Sequence, residues 1–232
     1  MLLYNLRHTL FICSILLSGC ANDQKKATED RTLNVRPTEV APVATDLPVK
    51  EKNILFFGTS LTAGYGLDQQ EAYPALIQKK IDSLNLPYKV INGGLSGETS
   101  AAGRSRIDWL LKQPVAVFVL ELGANDGLRG IPVATTTANL QAIINKVKAK
   151  YPQAKLVLTG MQVPPNMGQR YAADFNAMFK TIAQKNKMEF VPFLLEGVGG
   201  KPELNQEDGI HPTAEGQKIL AENVWLELKG VL

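Results

Sequence analysis

Apolar positions along the chain follow two different patterns on either side of residue 50. From residue 53 onward, short apolar runs alternate with segments whose apolar residues recur at helical spacing. Residues 53–57 (NILFF) form an apolar run closed by Gly58, which predicts a buried strand. Residues 72–84 place Leu76, Ile77, Ile81 and Leu84 on one helical face, and residues 88–91 predict a second strand closed by Asn92-Gly93-Gly94. A helix over 101–111 is stopped by Pro114. Residues 115–120 (VAVFVL) form an uninterrupted apolar run rich in β-branched side chains, the pattern of a central parallel strand. Residues 135–150 predict a helix with Leu140, Ile143, Ile144 and Val147 inward. Strands over 155–159 and 188–192 flank a long helix over 170–187 that carries Phe175, Met178, Phe179 and Ile182 on its apolar side. Residues 213–228 predict a closing helix with Ile219, Leu220, Val224 and Leu228 on one side. Strands alternating with helices predict an α/β fold, with a parallel sheet covered on both faces. Active sites in such sheets lie outside the C-terminal strand ends.

Before residue 50 the pattern is different. Arg7 is followed by the apolar stretch 9–17 (TLFICSILL), which is of signal-peptide length and shorter than the roughly 20 residues a bilayer span needs. The stretch ends in Leu17-Ser18-Gly19-Cys20, a tetrad that resembles a bacterial lipobox. That resemblance implies a lipoprotein signal peptide over 1–19, cleavage before Cys20 and acylation of its thiol. Several acyl chains on one cysteine anchor stably where a single chain is marginal. Ala21, where an Asp would favour retention in the inner membrane, points to the outer membrane facing the periplasm. Residues 20–50 are rich in Thr, Asp, Glu, Lys, Pro and Ala without helical or strand period, and read as a flexible tether. The expected organisation is thus a signal peptide, a lipidated tether and one domain over 51–232.

Composition removes several function classes. The formal charge of +3 is weak and dispersed, with no Lys/Arg block, so no nucleic-acid partner is expected. Both cysteines, Cys13 and Cys20, lie in the leader, so the domain has no disulfide or thiolate metal cluster. Of two histidines, His8 is also in the leader. His211 is therefore the domain's only imidazole, which leaves no multi-histidine metal site.

The chemistry-bearing residues sit where the sheet rule requires. After the first strand comes Gly58-Thr59-Ser60-Leu61; after the second, Asn92-Gly93-Gly94-Leu95-Ser96-Gly97; after the third, Gly123-Ala124-Asn125-Asp126. Asp208-Gly209-Ile210-His211-Pro212 stands near the C-terminus. A serine hydroxyl needs a base to become a nucleophile, and His211 is the one imidazole available to Ser60. Asp208, three residues earlier, can hold the other ring nitrogen. Backbone N–H groups of Ser60 and Gly97 and the Asn125 amide are candidate donors to a developing oxyanion. Taken singly, these residues have plainer readings. A serine after a strand is ordinarily a turn or a helix cap, a lone histidine is ordinarily structural, and Asp126 would cap the residues after it. Co-occurrence on four separate loops is what favours catalysis.

The order G-T-S-L, N-G-G-L-S-G, G-A-N-D and D-G-I-H-P resembles the GDSL or SGNH hydrolase family over residues 53 to 232. The strings F-G-T-S-L-T-A-G-Y-G-L and P-P-N-M-G-Q-R-Y are similar to the branch containing bacterial thioesterase I/lysophospholipase L1 and arylesterases. The resemblance implies a three-layer, flavodoxin-like fold with a five-stranded parallel sheet in order 2-1-3-4-5. It also implies a Ser60–His211–Asp208 triad, an oxyanion hole of Ser60, Gly97 and Asn125, and no metal or cofactor. Val163, Pro164 and Met167 would border an acyl groove. The expected activity is hydrolysis of carboxylic esters of short to medium acyl chains, with thioesters and lysophospholipids as further substrates, by a monomer. Two rivals are a carbohydrate O-deacetylase and a non-catalytic binding module. The chain departs from the family at Thr59, where Asp is usual. The G-x-S-x-G elbow of α/β-hydrolases is absent, because Thr62 stands two residues after Ser60 where that motif needs Gly.

Overall fold

The computed structural model describes residues 51–232. The signal peptide, Cys20 and the tether expected over 20–50 lie outside the described residues.

Five strands, β1 (Lys52–Gly58), β2 (Tyr88–Asn92), β3 (Val117–Glu121), β4 (Lys155–Thr159) and β5 (Glu189–Val191), form one sheet in the order β2-β1-β3-β4-β5. All four pairings are parallel. Five helices of two turns or more connect or follow them: α2 (Tyr73–Ser83), α3 (Ser100–Leu110), α5 (Val133–Lys150), α6 (Gln169–Asn186) and α7 (Ala214–Leu228). Two short helices, α1 (Ser60–Ala63) and α4 (Ala124–Leu128), begin directly after β1 and β3. Helices α2 and α7 pack on each other, while α5 packs on both α3 and α6.

Every residue of β3 is buried, as are the last five of β1. Successive strand residues point to opposite faces, so both faces must be covered, which gives the three layers. Phe57 and Phe118 stack within this core with ring centroids 6.1 Å apart. Among the described residues, no helix is long and apolar enough to cross a membrane.

Element ends differ from the sequence pattern for local reasons. The third strand pairs only from Val117, two residues after its apolar run begins, and extends to a buried glutamate, Glu121. Helix α5 starts two residues early because Pro132, with its fixed φ, already stands at the N-cap. Thr99 and Thr213 lie outside α3 and α7, and their hydroxyls accept from Ala102 N and Gly216 N as caps.

Candidate active site

The turn that carries Ser60 is built by a close approach. Gly58 ends β1 against the end of β3, and a Cβ there would meet Thr62 Oγ1 at 2.1 Å and Glu121 Oε2 at 2.5 Å. Only glycine lets the two strand ends come this near. Thr59 then caps α1, its hydroxyl accepting from Leu61 N at 3.3 Å. Ser60 is the first residue of α1, so its backbone N–H makes no intrahelical bond.

The histidine arrives from the far end of the chain on a pinned loop. Asn205 and Pro212 form an antiparallel bridge, and Gln206 N donates to His211 O at 2.7 Å. The Gln206 side-chain amide donates to Pro212 O at 3.0 Å and to Tyr65 O at 2.7 Å, tying the loop to the turn after α1. This places His211 Nε2 2.8 Å from Ser60 Oγ. His211 Nδ1 lies 2.6 Å from Asp208 Oδ2, and Asp208 Oδ1 accepts the Ile210 and His211 backbone N–H groups, both at 3.0 Å. The bond from His211, followed by the two backbone donors, lowers the Asp208 pKa to about 2. An ionised carboxylate only accepts, so the imidazole proton sits on Nδ1 and Nε2 is left to accept from Ser60. Tyr65 packs on the imidazole, ring centroids 4.5 Å apart.

The three expected oxyanion donors share one cleft with Ser60 and His211. Gly97 has φ +77°, a left-handed conformation that glycine alone adopts freely. Asn125, in the first turn of α4, donates one amide hydrogen to Glu98 O at 3.1 Å, which fixes the amide plane and leaves its second hydrogen for a ligand. Glu98 is itself held. Its buried carboxylate pairs with Arg106, which also donates to Gly93 O at 2.7 Å and lies 4.5 Å over the Phe57 ring. Asp126, expected to cap the residues after it, instead accepts from Ser100 N at 2.8 Å and from the Ser100 and Thr136 hydroxyls. It staples α4 to α3 and α5.

The cleft measures about 590 Å³ and is largely apolar beyond the polar cluster. Val163 and Pro164 line it, together with Leu128, Met161, Phe193 and Ile210. Met167 borders a separate shallow hollow beside Tyr171 and Asp174. Tyr171 donates to Ile131 O at 2.8 Å, and Trp109 and Trp225 sit on α3 and α7, so Tyr65 and Phe193 supply the tyrosine and phenylalanine rings that line the cleft. Sequence reasoning does not find Glu98, Arg106 or Glu121. The available signal is an acid placed at the end of a wholly apolar run, which demands a partner wherever it is buried.

Known proteins share much of this sequence and its shape. Esterase TesA of Pseudomonas aeruginosa is 42% identical over 182 residues, covering 78% of this chain and 90% of that protein. Thioesterase 1/protease 1/lysophospholipase L1 of Escherichia coli is 39% identical over 170 residues, covering 73% and 79%. The psychrotrophic esterase EstA from Pseudoalteromonas sp., solved with monoethylphosphonate as inhibitor, superposes with a TM-score of 0.72 at 36% identity, over 78% of this chain and 98% of that one. Residues 56–219 match the model of the GDSL-like lipase/acylhydrolase family. With that match spanning all the loops described above, this chain belongs to the GDSL-like lipase/acylhydrolase family and is an ester hydrolase.

Proposed function

We propose that Ser60, His211 and Asp208 form the catalytic triad of this hydrolase. The observation that carries the reading is the unbroken contact from Asp208 Oδ2 through His211 to Ser60 Oγ, at 2.6 and 2.8 Å. His211 Nε2 takes the Ser60 proton as Oγ attacks the ester carbonyl carbon. The carbonyl oxygen, now an anion, accepts from Ser60 N–H, Gly97 N–H and the free Asn125 hydrogen; each such donor contributes about 3 kcal/mol to the transition state. His211 passes its proton to the leaving alcohol, and a water deprotonated by the same imidazole releases the acid from Ser60. All these groups come from one chain, so a monomer suffices.

The apolar lining favours an acyl chain, with Val163 and Pro164 on the groove wall and Met167 outside it. Short to medium acyl esters are the proposed substrates, with thioesters and lysophospholipids in the same class. We further infer from the order of Arg7, apolar stretch and Leu17-Ser18-Gly19-Cys20 that a lipid on Cys20 holds the enzyme at the outer membrane, facing the periplasm.

The test is hydrolysis of p-nitrophenyl esters of increasing chain length by the protein and by Ser60→Ala. The variant should lose at least ~1000-fold in kcat, and should not react with a fluorophosphonate probe that labels the parent. Equal rates would refute the triad. For the anchor, Cys20→Ser should release the enzyme from the membrane fraction; retention there overturns the lipidation.

A further inference from the structure

Beneath the nucleophile turn lies an acid that the proposed reaction does not use. Glu121, the last residue of β3, has no exposed surface, and among the described residues no Lys, Arg or His forms an ion pair with it. Its two oxygens accept instead from Thr59 N–H at 2.8 Å, from the Thr59 hydroxyl at 3.0 and 2.9 Å, and from the Thr62 hydroxyl at 2.8 Å. Tyr73 OH stands 2.8 Å from Thr62 Oγ1. With Glu121 ionised, hydrogen counting sets the direction of each bond. Thr62 has one proton and directs it at Glu121, so the Tyr73 phenol donates to Thr62. Thr59 likewise gives its one hydroxyl proton to Glu121 while its oxygen accepts from Leu61 N. Every donor points toward the carboxylate. Once protonated, Glu121 can instead donate to Thr62 Oγ1, whose own proton then turns to Tyr73 OH, and the carboxylate's hold on the Thr62 donor is lost.

Thr59 and Thr62 bracket Ser60 and Leu61, so the carboxylate grips the turn on both sides of the nucleophile. We propose that Glu121 is a positioning residue for Ser60. As a carboxylate it holds the Thr59 and Thr62 donors and so sets the Ser60 hydroxyl and backbone N–H. The proposal rests on Ser60 being the nucleophile.

Burial, opposed by the bonds from Thr59 and Thr62, raises the Glu121 pKa from 4.5 to about 7. The titratable group facing it is Tyr73 on α2, which burial and the charge of Glu121 push upward, so it stays a neutral donor. Thr59 and Thr62 on the β1–α1 segment carry no charge. The grip therefore loosens as pH falls below about 7.

The experiment compares the full-length protein with Glu121→Gln, Thr59→Val and Thr59→Ser, measuring kcat, KM and fluorophosphonate labelling rate against pH. In Glu121→Gln an amide NH₂ faces donors, so kcat should fall about 10- to 100-fold with KM within about twofold. The acid limb of log kcat should carry two ionisations in the parent and one in this variant. Thr59→Val should lose about tenfold in kcat, and Thr59→Ser, which restores the donor, should recover most of that loss. A Glu121→Gln protein with the parent's kcat and acid limb overturns the proposal. If that variant does not fold by circular dichroism, the Thr59 pair decides: Ser no better than Val overturns it. Ser60→Ala measured alongside separates the two ideas. A fully active Ser60→Ala removes the triad itself, whereas an inactive one beside an unaltered Glu121→Gln removes only the role of Glu121.

Discussion

Two carboxylates serve the two halves of this site, and their surroundings are opposite. Asp208 sits on a surface loop with 39% of its side chain exposed and takes its partners from within three residues. Glu121 has no exposed surface and bonds to residues 59 and 62 positions away. Both accept hydrogen bonds that favour the charged form, yet Asp208 falls to about 2 and Glu121 rises to about 7. The difference is desolvation, which is the leading cause at Glu121 and a minor one at Asp208. Hydrogen bonds of similar length thus set opposite outcomes, depending on whether water can share the load. The histidine loop is a local unit that orients an imidazole. The turn that carries Ser60 is a non-local unit fixed by the core.

Substitutions should separate these units. Asp208→Asn should break the local unit alone. Losing the carboxylate that selects the imidazole tautomer should lower kcat about 1000-fold or more, while the urea midpoint moves little, because the group is exposed. A large drop in the midpoint would mean that the loop is part of the core. Arg106→Met should do the reverse. It strands the buried Glu98 carboxylate, which should cost about 3–5 kcal/mol of stability by urea unfolding. It should also lower kcat about tenfold, through the Glu98 carbonyl that holds Asn125. A variant as stable as the parent would place the worth of this pair near zero.

The smallest effect is the dependence of stability on pH, which should have opposite signs for the two acids. Between about pH 4.5 and pH 7 the native state keeps a proton on Glu121 that the unfolded chain has released. Stability must therefore fall as pH rises through that window, by an amount on the order of 3 kcal/mol. Glu121→Gln should flatten this slope; an unchanged slope would assign it elsewhere. Asp208, lowered from 3.8 to about 2, contributes stability that is present above about pH 4 and lost as pH falls through about 2. Only the direction is expected to be measurable, since the group is exposed.

The same contrast explains how much of the molecule is legible in the chain. The five apolar runs and five long helices announce themselves by period, because a sheet covered on both faces needs continuous apolar strands. Ser60, Gly97, Asn125, Asp208 and His211 are visible because each stands in a glycine-bearing turn after a strand or near the C-terminus. Helices α1 and α4, at four and five residues, are too short to display any period, although they carry Ser60 and Asn125. The apolar run before Glu121 signals that the acid is buried but not what it bonds to, since its partners appear only once β1 and β3 lie side by side. Glu98 lies before α3 and Arg106 within it, so no single helical or strand period pairs the two. Met167 shares the apolar character of Val163, but the turn at Pro165–Met167 carries it away from the groove.

Gly97 has a consequence for how this enzyme can vary. Its φ is +77°, yet a Cβ built there meets nothing within 4 Å. The position is restricted by torsion and not by room: the methyl group of an L-alanine would meet nothing, yet that residue would strain the backbone. Gly97 lines the cleft, so the wall at that point offers an incoming ligand backbone and no side chain.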